Sequence, residues 1–140
     1  MEILVMNRRD AISYSFGNHP EKAVVISIND LGDIPASIYP GRVNGIHDVL
    51  FLFFNDMDKG NTAMTMTDAI KIAEFVHQYE NTTIDRIIVH CGAGISRSAG
   101  VAAAIAKYLY GNDSCIFNDR RYRPNMLCYR ETLFALMMGD

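Results

Sequence analysis

Ile87-Ile88-Val89 runs without a spacer through His90-Cys91 into Gly92-Ala93-Gly94, and from Ser98 the chain turns alanine-rich. A β-branched apolar run, a glycine turn and a helical stretch in direct succession describe a strand delivered onto the N-terminus of a helix. Such a strand must be buried, and such a helix must fold back over it. The same alternation recurs along the chain. Glu2 to Met6 is predicted to be a strand and Arg8 to Phe16 a helix. Ala23 to Ile28 reads as a strand that stops at the turn-forming Asn29-Asp30-Leu31-Gly32. Asp33 to Asn44 carries two prolines and a glycine and reads as loop, as does Asn55 to Thr65. Between them Val49 to Phe54 is continuously apolar, the pattern of a strand buried on both faces.

Thr65 and Asp68 have the spacing of a capping box, and Ala69, Ile72, Ala73 and Val76 follow at helical spacing. A helix from Ser98 to Tyr110 is closed by Gly111-Asn112, and a last helix spans Asn125 to Met138 with Leu127, Leu133, Leu136 and Met137 as its expected buried side. The expectation is an α/β fold: a central, mainly parallel sheet of about four or five strands with helices on both faces. Residues 1–140 form one domain, since 140 residues with 49% hydrophobic and 21% charged content suit a single core. A net charge of −3 argues against a nucleic-acid partner. Three cysteines without paired spacing argue against a disulfide framework and for a reducing, cytoplasmic setting. No signal peptide is read at Met1-Glu2-Ile3, and no apolar run is long enough for a membrane span.

The chemistry concentrates in the loop after Val89. In open parallel sheets ligands bind at the carboxyl ends of strands, and a helix N-terminus offers unpaired N–H groups and partial positive charge to an anion. Gly92 and Gly94 let successive N–H groups turn inward, and Arg97 offers a planar fork for two oxygens of a phosphate. Cys91 lies at the base of this bowl, where positive surroundings suit a thiolate nucleophile. An anion site with a nucleophile facing its central atom fits attack of sulfur on phosphorus.

His90-Cys91-Gly92-Ala93-Gly94-Ile95-Ser96-Arg97-Ser98 resembles the HCxxGxxR[ST] signature of the cysteine-dependent protein tyrosine phosphatases, and the run from Ala93 to Gly100 is closest to the compact dual-specificity branch. The resemblance is strongest from about Val49 to Ala106 and extends weakly to Pro124-Asn125 before the last helix; the first 45 residues match only in strand pattern. It implies that Cys91 takes the phosphoryl group as a cysteinyl-phosphate and that Arg97 clamps its equatorial oxygens. Main-chain N–H groups of Gly92, Ala93, Gly94, Ile95, Ser96 and Arg97 complete the cradle. Ser98 assists departure of the sulfur, His90 tunes the cysteine, and Asn125 braces the loop. No metal or other cofactor is implied.

The family places its general acid on an aspartate at the carboxyl end of a neighbouring strand. Asp56 and Asp58 both fit. Asp56 is preferred because it stands second after the strand end, behind Asn55; Asp58 remains the alternative, and Asp30 is set aside as too far from Cys91 in sequence. The implied partners are a phosphorylated protein or peptide, with phosphotyrosine foremost and phosphoserine and phosphothreonine admitted by a short chain. Simple oxyanions such as phosphate, sulfate or vanadate should enter the loop. Ala93 and Ile95 add no charge for a multiply phosphorylated inositol. Arg120, Arg121, Arg123 and Arg130 leave open an RNA 5′-triphosphatase. A phosphate-binding module without turnover is the alternative from another class, and the general acid decides between them. Cys115 and Cys128 are expected to be packing residues.

Overall fold

The computed structural model describes residues 1–139. Four strands, β1 (Glu2–Asn7), β2 (Ala23–Asn29), β3 (Ile46–Phe53) and β4 (Arg86–Cys91), form one sheet in the order β1-β4-β2-β3. Every neighbouring pair is parallel. The registers set Asn7 beside Cys91, Ser27 beside His90 and Asn29 beside Phe53, so all four strands end along one edge. That edge is where the loop after Cys91 begins.

Helices lie on both faces, unequally. One face carries α2 (Met66–Tyr79), α3 (Arg97–Tyr110) and α5 (Met126–Met138), packed on Val24, Ile26, Ile28, Ile87 and Val89. The other carries only the short α1 (Arg8–Ser15), through Ala11, and the irregular segment of Ala36 and Ile38, which cover Val25 and Ile88. A single-turn helix, α4 (Ser114–Phe117), which the sequence pattern did not suggest, precedes α5.

Two expectations are corrected. The apolar run Val49–Phe54, expected to be buried on both faces, is buried chiefly on one: Leu52 and Phe54 are buried, while on the opposite face Phe51 is half-buried and Phe53 is 37% exposed. β3 is the edge strand of the sheet: among the described residues no strand pairs with its outer side. On α5 Leu136 is buried as expected, but its other buried residues are Cys128, Thr132 and Ala135, while Leu127 and Leu133 are half-buried and Met137 is 60% exposed. Small residues face inward because α5 lies against α3. A Cβ on Gly100 of α3 would sit 2.4 Å from the Asn125 carbonyl oxygen and 3.1 Å from Cys128 Cβ. The same close approach explains the alanine run of α3, whose residues from Arg97 to Ala106 are all buried.

Candidate active site

Each strand end supplies a part. β4 ends in Cys91, which is buried with its Sγ 3.1 Å from Ser98 Oγ in the first turn of α3. The loop between them is held from outside by its carbonyl groups. Gly92 accepts from the Arg8 N–H at 3.1 Å, Ile95 from Arg123 at 2.9 Å, and Ser96 from Asn125 at 2.9 Å. Carbonyls committed to the scaffold leave the loop's N–H groups free to turn toward its centre. Gly94 has φ +69°, and a Cβ there would lie 2.6 Å from the Asn7 nitrogen, so this turn against the end of β1 requires glycine.

Arg97 is buried, and its guanidinium is braced on one side. Nη1 donates to the Phe54 carbonyl oxygen at 2.7 Å and pairs with Asp30 Oδ1 at 2.7 Å. Nη2 lies on the side of Gly92. Anchoring one nitrogen leaves the Nε–Nη2 edge as a fork for an oxyanion. Asp30 is the residue that sequence reasoning set aside: its distance of sixty-odd positions from Cys91 vanishes because β2 and β4 are adjacent strands.

Behind Cys91 lies a buried polar chain of which the sequence motif included His90 alone. Asn29 Nδ2 donates to Ser27 Oγ at 3.2 Å, and Ser27 Oγ lies 2.6 Å from His90 Nε2. His90 Nδ1 faces the Cys91 carbonyl oxygen at 3.4 Å. All these atoms are satisfied when Ser27 donates to Nε2 and the Nδ1–H points to the carbonyl. Burial, reinforced by the charges of Arg8 and Arg97, outweighs the hydrogen bond to Cys91 and pushes the imidazole down to about 4, so His90 is neutral at pH 7. Asn29 Oδ1 accepts from Arg8 Nη1 at 2.9 Å and from the Ala36 N–H at 3.0 Å, which fixes the segment after Asp30.

The loop after β3 brings Asp56 to the rim. Its Oδ1 accepts from Ser96 Oγ at 2.8 Å and from Asn125 Nδ2 at 2.9 Å. Asn125 also caps α5, its Oδ1 accepting from the Cys128 N–H at 3.0 Å. Asp58 is exposed and, among the described residues, has no hydrogen bond or ion pair to the site. Of the cluster after α4, Arg121 is paired with Asp119 at 2.7 Å, and Arg123 is tied by its backbone to the Cys91 loop at Ile95. Cys128 is buried; burial first, then the charge of Asp56, raises its thiol to about 12. Cys115 is exposed, against the expectation of a packing role. Among the described residues no group of His, Cys, Asp and Glu side chains could hold a metal ion.

No family model matches the sequence, and no curated protein matches it. Solved structures do resemble it. The human tyrosine phosphatase-like serine/threonine/tyrosine-interacting protein superposes with a TM-score of 0.66 at 18% identity, over 98% of this chain and 92% of that one. PTPMT1 in complex with PI(5)P gives a TM-score of 0.60 at 15% identity, over 99% and 95%. OH1 from the Orf virus, a tyrosine phosphatase, gives 0.52 at 19% identity, over 99% and 84%. The fold is that of the compact dual-specificity phosphatases. Within that fold the Cys91 loop joins β4 to α3, and residues from the carboxyl ends of all four strands, with Arg123 and Asn125 before α5, converge on it.

Proposed function

We propose that this protein is a phosphoric monoester hydrolase that dephosphorylates phosphotyrosine in proteins, and phosphoserine and phosphothreonine as well, through a cysteinyl-phosphate. The observation that carries the reading is the buried Cys91 Sγ at 3.1 Å from Ser98 Oγ, within the loop that ends in the braced Arg97. In the first step the Cys91 thiolate attacks phosphorus as the bond to the leaving oxygen breaks. Asp56 gives its proton to that oxygen. Arg97 and the loop N–H groups bind the equatorial oxygens where charge is spread in the transition state. In the second step the Asp56 carboxylate takes a proton from water, whose oxygen attacks phosphorus. The sulfur leaves as thiolate, with the Ser98 hydroxyl donating to it. Asp56, rather than Asp58, acts here because its carboxylate is docked on the loop.

Asp30 acts on Arg97 alone, as the carboxylate that fixes its guanidinium. Arg120, Arg123 and Arg130 are exposed and form a positive rim for an acidic phosphopeptide; phosphate, sulfate and vanadate would occupy the loop as simple anions. Three free cysteines, one of them the nucleophile, suit the reduced cytoplasm. No helix among the described residues is long and apolar enough to cross a membrane.

The test is metal-free hydrolysis of para-nitrophenyl phosphate and a phosphotyrosine peptide with reductant present. Turnover that disappears in Cys91→Ser is expected. A second reading is favoured by one observation: a structural neighbour is named as phosphatase-like and as an interacting protein. Tungstate binding by a wild type without turnover would move the function to recognition of phosphorylated partners.

A further inference from the structure

We propose that the Ser96 hydroxyl is a positioning group for the general acid, registering Asp56 directly to the phosphate loop. The inference rests on the phosphatase reading and deepens it. Ser96 stands at the N-cap of α3, where a serine oxygen ordinarily accepts from an N–H of the first turn. Here it makes no capping bond. Its hydroxyl donates instead to Asp56 Oδ1 at 2.8 Å, across forty residues of sequence. Diverting the hydroxyl has two effects. The N–H groups at the start of α3 stay open toward the bowl, and the acid is tied to the loop that holds the substrate's phosphate.

The second donor on Asp56 completes the argument. Asn125 Nδ2 reaches the same Oδ1 at 2.9 Å, and Asn125 is itself immobilised by its bonds to the Ser96 carbonyl and the Cys128 N–H. An oxygen that accepts two hydrogen bonds has no place for a proton of its own. The transferable proton of Asp56 therefore sits on Oδ2. Both donors can hold Oδ1 whether the group is acid or carboxylate, so the side chain need not turn between proton donation in the first step and proton abstraction in the second. The Ser96–Asp56 bond thus acts on proton transfer to the leaving group, a contribution separate from the main-chain cradle that Ser96 shares with its neighbours.

That separation gives the test a specific readout. A phenyl or tyrosyl leaving oxygen needs protonation far more than para-nitrophenolate does, so loss of acid positioning changes the ratio of kcat/KM between the two substrate types. Wild type, Ser96→Ala, Ser96→Thr, Asp56→Asn and the Ser96→Ala/Asp56→Asn double variant are compared on phenyl phosphate and para-nitrophenyl phosphate. Tungstate-induced thermal shift checks that each variant folds and binds oxyanion. Ser96→Ala should lower the phenyl-to-nitrophenyl ratio about tenfold, the scale of a hydrogen bond to a charged group. Asp56→Asn should lower it about 100-fold or more. Ser96→Thr, which keeps the hydroxyl, should restore most of the ratio. In the Asp56→Asn background, Ser96→Ala should change the ratio no further. Equal losses on both substrates in Ser96→Ala, or a full tenfold loss of ratio in the double variant, would overturn the proposal. A wild type that binds tungstate but hydrolyses neither substrate would remove the phosphatase reading itself and this proposal with it, an outcome visible without any variant.

Discussion

Asp30 and Arg97 form an ion pair of unequal partners: the arginine is buried, while the Asp30 side chain is 60% exposed. If the pair serves to aim the guanidinium, Asp30→Asn should weaken tungstate binding and lower kcat/KM about tenfold, with Asp30→Glu recovering part of the loss. Tighter tungstate binding in Asp30→Asn would show instead that the carboxylate competes with the oxyanion. His90 supports a second prediction. Its imidazole is held at about 4 in the folded protein, against 6.5 as the ordinary value. Between those values the unfolded chain binds more protons, so stability is full above about pH 6.5 and declines as pH falls toward 4. The whole loss is on the order of 3 kcal/mol. Urea unfolding at pH 7 and 4.5 should show the decline, and His90→Gln should flatten it; an equal decline in the variant would assign the effect to other groups. That Cys91, Arg97, Ser98 and Asp56 come together was legible in the sequence because their spacing, or their place after a strand, is local information. The contacts of Asp30 with Arg97 and of Ser27 and Asn29 behind His90 were not, because they exist only through strand adjacency, which no local pattern encodes.

At the scale of elements, the meeting of α3 and α5 carries more than packing. Gly100→Ala would place a methyl group 2.4 Å from the Asn125 carbonyl oxygen, a backbone atom that cannot step aside alone. The two helices must separate, which costs about 1–3 kcal/mol by the usual scale of overpacking. The shift should also reach chemistry, since the Asn125 side chain holds Asp56. Chemical denaturation should show the destabilisation, and the phenyl-to-nitrophenyl ratio should fall with it. An unchanged ratio in a destabilised variant would mean that α5 moves without its N-terminus. Strands and most helices were readable from periodicity. The inward face of α5 was read in part: Leu136 is buried as expected and Leu127 and Leu133 are half-buried against the core, but Met137 is exposed. Where Gly100 admits a close approach, the small Cys128 packs, and Thr132 and Ala135 complete the buried side with Leu136. The half-open face of β3 was misread because an apolar run signals burial on both faces for a strand inside a sheet, whereas β3 lies at the edge.

At the scale of the molecule, the site is the place where separate parts of one fold meet. β1 contributes the surface against Gly94, β2 leads into Asp30, β3 ends beside the Phe54 carbonyl and leads to Asp56, and β4 delivers Cys91. The 120–125 segment closes the ring through Ile95 and Ser96. An anion bound at such a junction engages only the assembled fold, so it should stabilise the whole chain and not one loop. At a tungstate concentration 100 times its Kd the expected gain is about 2.7 kcal/mol. For a chain of this size that corresponds to a rise in Tm of roughly 8 °C. The rise should persist in Cys91→Ser, which keeps the cradle, and collapse in Arg97→Ala, which removes the fork. Differential scanning calorimetry measures all three. A transition that splits in two on adding tungstate would show that the strands around the site unfold as separate units. A single transition moving as a whole is what a site built from every strand end requires.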